Sequence, residues 1–274
     1  DPNDYTTVYA GSYGGTISKF DAETRTQESI RAYPDSQTGQ KAADMKYRFQ
    51  WNAPIRVSPH NSNVVYHASQ YVHRSMDKGK TWEVISPDLT RNDPSKQDYS
   101  GGTGVSRDNT GVEVYNTIFA LEESATVPGL IWTGADDGRM HITRDNGKTW
   151  TNVTPRDMPR RCRVATIDPS AHRRGSAYYS AYCYLLGDFS PYFYKTNDYG
   201  RSWTKIVNGI PAETATRALR EDPRRPGLLF GGTEFGMYVS LDDDASWRRF
   251  TNDMPIVPIN DIKVHRGDLV VATQ

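Results

Sequence analysis

The octet "SMDKGKTW" at 75–82 recurs as "TRDNGKTW" at 143–150, as "TNDYGRSW" at 196–203 and, worn, as "SLDDDASW" at 240–247. Recurrence at a spacing of tens of residues constrains the fold more than any local property. Each copy must belong to one structural unit that stacks on its neighbours. A second element keeps step with the octet: a Pro, a few polar residues, an apolar-aromatic pair and a small residue. It is seen in "DPNDYTTVYAG" at 1–11, "SPHNSNVVYHA" at 58–68, "VPGLIWTG" at 127–134, "DPSAHRRGSAYYSA" at 168–181 and "DPRRPGLLFGG" at 222–232. From this Pro to the octet Asp is 18 residues for Pro59 to Asp77, 17 for Pro128 to Asp145 and 19 for Pro223 to Asp242. Pro2 to Asp21 is also 19, which makes "SKFDAETR" a degenerate first copy, and only Pro169 to Asp198 is stretched, to 29.

Between these anchors apolar and polar residues alternate in short runs bounded by Gly, Asp and Asn, the pattern of antiparallel strands. Each unit reads as four strands. In the second unit strand A is about "RFQWNAPIRV", B "NVVYHAS", C "YVHRSM" and D "TWEVIS". No segment carries a convincing helical period. Four-stranded units that cannot bury both faces alone must stack radially, so the expected fold is an all-β propeller. Its blades are expected at about 1–31, 48–90, 112–155, 160–207 and 214–251, with half a blade at 255–274. In the octet, Asp77, Asp145, Asp198 and Asp242 are expected to accept hydrogen bonds from backbone N–H groups two residues on. Gly79, Gly147 and Gly200 supply the positive φ of the turn. Trp82, Trp150, Trp203 and Trp247 wedge against the neighbouring unit. This is the chemistry of a fastener rather than of a catalytic or calcium-binding loop.

Lysine plus arginine and aspartate plus glutamate balance at 33 each, which removes the electrostatic case for nucleic acid or an anionic membrane surface. No apolar run approaches the length of a spanning helix, so no membrane insertion is expected. The chain starts without Met, and the natural N-terminus is expected to have been removed. Cys162 and Cys183 are too few for a disulfide framework and lack metal-ligand spacing. They fall on strands expected to be neighbours, so a cross-strand disulfide stays open, but two semi-buried thiols are the favoured expectation. The six histidines show no ligand spacing, and no metal or cofactor is expected.

The octet pattern S/T-x-D-x-G-x-x-W resembles the Asp-box, or bacterial neuraminidase repeat, of β-propellers such as sialidases, xyloglucanases and the sortilin luminal domain. Stretches such as "MKYRFQWNAPIRVSPH", "VISPDLTRNDPSK", "DNTGVEVYNTIF", "KTNDYGRSWTKIVNGIP" and "GTEFGMYVSLDD" resemble bacterial sortilin-like repeat proteins that carry a glycosyl hydrolase label. The resemblance covers nearly the whole chain and implies an extracytoplasmic, secreted or periplasmic, location. It does not imply one activity, because enzymes and non-enzymes share the repeat. In the complete units strand A precedes the Pro element. Residue 1 therefore follows a missing strand A, and the tail "PINDIKVHRGDLVVATQ" supplies an A and a B only. The expectation is a partial propeller, one domain or a fragment of it over 1–274, completed by the remainder of a longer polypeptide or by a partner chain. A ring closed by pairing of 257–274 with 5–30 would overturn it.

Long segments cluster at the end of the blades that carries the B to C turns and the D to A crossovers: 31–47, 86–111 and the insertion around "YLLGDFSPYFY". Long loops on one face usually carry function. Candidate ligand-binding residues there are Arg48, Trp51, Tyr115, Arg163, Tyr192, Arg217, Glu234 and Phe235. Further polar candidates are Tyr13, Asn52, Asp136, Asp137, Asn260 and Asp261. Arg48, Arg163 and Arg217 at comparable positions of three blades resemble the sialidase cluster that clamps a carboxylate. "APIRVSP" departs from the sialidase Arg-Ile-Pro order. Two functions compete. One is a binding or scaffold module for a glycan, peptide or protein partner. The alternative is a glycoside hydrolase of sialidase or xyloglucanase type that uses a pair of carboxyl groups, with Asp108, Glu113 and Asp188 as catalytic candidates.

Overall fold

The computed structural model describes residues 1–99 and 113–273, and within them six antiparallel sheets follow one another along the chain. Sheet 1 holds β1 (Thr7–Ser12), β2 (Thr16–Asp21) and β3 (Thr26–Ser29). Sheet 2 holds β4 (Ile55–Ser58), β5 (Asn61–Ala68), β6 (Val72–Ser75) and β7 (Glu83–Val84). Sheet 3 holds β8 (Ile118–Glu123), β9 (Ile131–Ala135), β10 (Met140–Thr143) and β11 (Thr151–Asn152). Sheet 4 holds β12 (Arg163–Pro169), β13 (Ala177–Cys183), β14 (Asp188–Thr196) and β15 (Thr204–Lys205). Sheet 5 holds β16 (Thr216–Glu221), β17 (Leu229–Thr233), β18 (Gly236–Ser240) and β19 (Arg248–Phe250). Sheet 6 is the hairpin of β20 (Ile259–His265) and β21 (Asp268–Thr273).

Each four-stranded sheet is a meander in strand order, and β4, β8, β12, β16 and β20 pack side by side around a central channel. The apolar core lies in the seams between sheets. Trp132 and Met140 of sheet 3 pack with Tyr179 and Tyr194 of sheet 4, and Phe193 of sheet 4 packs with Leu219 and Trp247 of sheet 5. A sheet with one face against each neighbour must be apolar on both, which is why β9 and β13 are buried along their whole length. Among the described residues sheet 6 shares no backbone ladder with sheet 1. The two meet through side chains: the Tyr5 and His265 rings lie 5.9 Å apart, with the Arg266 guanidinium 4.4 Å over Tyr5.

The octets adopt one geometry. In the first, Ser75 Oγ accepts from Gly79 N at 2.7 Å and donates to Asp77 Oδ1 at 2.8 Å, while Thr81 N and Thr81 Oγ1 donate to Asp77 at 2.8 and 2.7 Å. The Asp therefore binds the N–H four residues on, not two. The turn needs two successive left-handed residues, Lys78 and Gly79, and the serine at the head of the octet spans them. Each octet Trp then donates its indole N–H to the preceding sheet: Trp82 to Ile30 O, Trp150 to Ile85 O, Trp203 to Val153 O and Trp247 to Ile206 O, at 2.6–2.9 Å.

Two local expectations are corrected. The inner strand of sheet 2 is Ile55–Ser58 rather than 48–57, because side chains claim the backbone before it. Arg48 N donates to Gln70 Oε1 at 2.7 Å and Phe49 N to Gln37 Oε1 at 2.9 Å. The cysteines are not semi-buried thiols. Cys162 and Cys183 are fully buried and disulfide-bonded, with a Cα–Cα distance of 4.6 Å. The register explains it: Arg163 pairs with Tyr182, so the residues flanking this pair face each other at the end of the ladder.

Candidate functional site

The Pro turns and octet turns lie at one end of the sheets, and the B to C turns and crossovers at the other. At this second end the crossover after sheet 2 is pinned to the B to C turn of sheet 3 through buried Asn116. Its Oδ1 accepts from Asp93 N and Gln97 Nε2 at 3.0 and 3.1 Å, and its Nδ2 donates to Asp137 Oδ2 at 2.9 Å. Arg91 N donates to the same Asp137 oxygen at 2.6 Å. These hydrogen bonds satisfy buried polar groups of the described crossover residues that no strand ladder reaches.

Between sheets 3 and 4 this scaffold opens into a cleft of about 320 Å³ lined by Lys96, Tyr115, Asp136, Arg161, Arg163, Tyr182, Cys183, Leu185 and Leu186. One wall is the insertion of sheet 4, where a 3₁₀ turn, Tyr184–Leu186, is closed by Gly187 at φ 80°. This turn leaves Leu185 and Leu186 63% and 51% exposed. The disulfide joins that wall to the Arg161–Arg163 stretch. The Arg163 guanidinium lies 4.6 Å over the Phe119 ring and donates from Nη1 to Tyr182 Oη at 3.0 Å. Among the described residues its shielded Nε has no acceptor. Phe119 sits where the register of β8 and β9 shifts, and such a bulge turns a side chain out of the ladder.

Asp136 is 2% exposed, and its oxygens accept from Thr117 N and Thr117 Oγ1 at 3.0 and 2.8 Å. Burial pushes its pKa up to about 7 against these hydrogen bonds, and the neighbouring Asp137 adds to the rise. Burial likewise raises Tyr115, with Asp136 and Asp137 contributing. The cleft thus combines a carboxyl group that titrates near neutrality, cations and an apolar wall.

Of the residues singled out by sequence, Tyr115, Arg163 and Asp136 line this cleft. Arg48 is 5% exposed and consumed by Asp88 at 2.9 Å and Asn116 O at 3.1 Å. Arg217 is held by Glu234 at 2.8 Å, so neither joins Arg163 in a clamp. Asp188 accepts from Ser190 N and Tyr192 Oη; burial raises its pKa, but these hydrogen bonds outweigh it and the net shift is downward. A carboxylate held ionised is no proton donor. Glu113 borders a separate cavity of about 110 Å³ with Tyr115 and Lys96. Asp108 lies outside the described residues. Trp51 and Phe235 are exposed, and Trp51 meets Tyr13 edge to face at 4.9 Å. Asp261 pairs with Arg220 at 2.8 Å in the central channel, a cavity of about 810 Å³ that opens at the Pro-turn end. Sequence reasoning missed Lys96, Arg161, Tyr182, Leu185 and Leu186. The only signal was the insertion itself, with its two adjacent leucines before a Gly.

His67 and His73 face each other across β5 and β6 and pack on Phe49. Burial lowers their pKa values to about 4 and about 3, so they are neutral core side chains. Among the described residues no group of three His, Cys, Asp or Glu is placed to hold a metal ion. No described helix is long and apolar enough to cross a membrane.

Similar architectures occur in solved structures. All of this chain superposes on the GH74 xyloglucanase from Xanthomonas campestris with a TM-score of 0.69 at 19% identity. The chain is a β-propeller. It spans 43% of that enzyme's length. YCF48 from Cyanidioschyzon merolae superposes on 98% of the propeller with a TM-score of 0.65 at 10% identity, over 77% of YCF48. The extracellular domain of BT4673 from B. thetaiotaomicron superposes on 98% with a TM-score of 0.60 at 12% identity, over 30% of that chain. At such identities the likeness shows the fold alone. No protein-family model and no curated protein matches the propeller.

Proposed function

We propose that this propeller is an extracytoplasmic ligand-binding or scaffold module of the Asp-box type, engaging a glycan, peptide or protein partner at the end that carries the crossovers. The observation that carries this reading is the cleft between sheets 3 and 4, built from a pinned crossover and an insertion that exposes Leu185 and Leu186. Clefts with apolar walls and a few convergent polar groups are where ligands bind. The octet hydrogen bonds support the Asp-box assignment, and the disulfide suits an oxidising compartment. Sheets 1 and 6, with three and two strands against four elsewhere, are read as blades completed by other polypeptide. The test is an array of oligosaccharides and peptides probed with the wild-type protein and with Leu186→Asp. Binding that falls at least about tenfold in the variant supports the reading, a loss on the scale of a central contact. Binding that ignores the substitution, or no binding at all, rejects it.

One observation favours the hydrolase as a second reading. Asp136 is a carboxyl group that stays partly protonated at neutral pH, as a general acid requires. Turnover of xyloglucan or sialoside substrates that drops about a hundredfold or more in Asp136→Asn would support it, the scale of a lost acid catalyst. Absence of turnover by the wild type retires it.

A further inference from the structure

The charges around the cleft do not balance. Among the described residues Lys96, Arg161 and Arg163 form no ion pair, although most buried or half-buried arginines elsewhere in the molecule do, including Arg48, Arg56, Arg173, Arg217 and Arg220. Among the described residues Asp136 is the one acid in the cleft wall; Arg163 lies within its electrostatic reach, but Thr117 occupies both its oxygens. Asp93, within electrostatic reach of Lys96 and Arg161, has its Oδ1 tied by Ser95 N and Oγ. Arg163 uses one donor on Tyr182, and stacking on Phe119 fixes the plane of its guanidinium. Holding a cation in a half-buried site is unfavourable unless an anion or strong acceptor meets it. Arg161 is exposed and sits at φ 68°, a left-handed backbone that aims a non-glycine side chain only at a cost.

We propose that the cleft is specific for a ligand that joins an oxyanion to an apolar or ring-shaped body, with Arg163 as the anchor of the anion and Leu185 and Leu186 as the floor for the body. The proposal rests on the reading of this cleft as the ligand site and adds the charge of the ligand. It places the anion between sheets 3 and 4, using Lys96 and Arg161 as outer cations, and not on the Arg48, Arg163 and Arg217 set, two members of which are already paired. A planar guanidinium accepts a carboxylate, sulfonate or phosphate through two parallel hydrogen bonds.

The test uses benzoate and benzamide, which share a ring and differ in charge, titrated against the intact protein by ligand-observed NMR. Benzoate is expected to bind at least about fivefold more tightly than benzamide, with a preference that shrinks as salt is raised toward about 1 M. Arg163→Gln should abolish the preference, Lys96→Gln and Arg161→Gln should each reduce it, and Arg225→Gln at the opposite end should leave it unchanged. The two exposed variants keep the test decisive if Arg163→Gln does not fold. Benzenesulfonate and phenyl phosphate then tell which oxyanion fits best. Equal binding of benzoate and benzamide, both lost in Leu186→Asp, overturns the anion assignment and leaves the cleft as a ligand site. Absence of benzoate binding up to about 20 mM overturns the assignment as well, since even a weak charge-assisted contact is visible there.

Discussion

Burial holds the Asp136 carboxyl protonated to about pH 7 in the folded chain, against an ordinary value of 3.8. Between these two values the folded state binds more protons than the unfolded state. Stability therefore falls as pH rises from about 4 to 7, and the full cost remains above 7. Asp136→Asn is expected to match the wild type near pH 4 and to exceed it at pH 8, by up to roughly 4 kcal/mol at about 1.4 kcal/mol per pKa unit. Urea unfolding at the two pH values measures the difference, and an equal offset at both would rule out titration as the cause. The same scale explains the worn octet. Asp244 stands where the other octets have Gly, at φ 77°, and it is kept there by Lys195, with Asp243 beside it bound to Arg173 at 2.7 Å. A glycine signal in sequence is thus replaceable by an ion pair that sequence does not reveal. Arg48 shows the converse: by sequence it is a candidate ligand-binding arginine, yet folding buries it against Asp88 and Asn116 from segments 40 and 68 residues away.

At the scale of the element, the octet carries two separable parts. Its Asp is held below the ordinary carboxylate range, to about 2 in Asp77 and Asp145, by hydrogen bonds from the Thr four residues on, backbone and side chain alike. This contribution is fully present above about pH 4 and is lost as pH falls toward 2. Asp77→Asn and Asp145→Asn should flatten the acid limb of the unfolding curve in that window. An unchanged acid limb would show that the turn hydrogen bonds are not linked to folding. The Trp contributes by burial. Trp247 is 3% exposed, whereas Trp82, Trp150 and Trp203 are only half-buried. Trp247→Ala is therefore expected to be the costliest of the four, at about 3–5 kcal/mol by denaturant titration. The octet was legible in sequence as a turn, because most of its partners lie within eight residues, but the N–H that the Asp binds, four residues on and not two, was not. The partner of each Trp, a carbonyl of the preceding sheet, was predictable in kind but not in identity.

For the whole molecule, the disulfide closes a 21-residue span and also ties the two walls of the cleft. Reduction, or replacement of both cysteines by Ala, is expected to cost about 3 kcal/mol of stability. It should also speed hydrogen exchange at Tyr184–Leu186 ahead of the β12 and β13 ladder. Uniform loss of protection across sheet 4 would instead mean that the bond holds the blade and not the cleft. The propeller leaves its interior to seams between sheets, and among the described residues cavities open both in the central channel and where sheets 3 and 4 diverge.

What the sequence determined by itself is what repeats: the strand meander, the all-β class, the radial stacking, the octet turns and the end of the molecule where loops accumulate. These follow from local rules, since periodicity, turn residues and short-range hydrogen bonds act within one unit. The tertiary structure alone decided which cations remain unpaired, which acid is desolvated and which loops meet. Arg163, Asp136, Lys96 and Leu186 come from four separate segments, and pairing and burial depend on distances that the chain acquires only when sheet 3 is set against sheet 4.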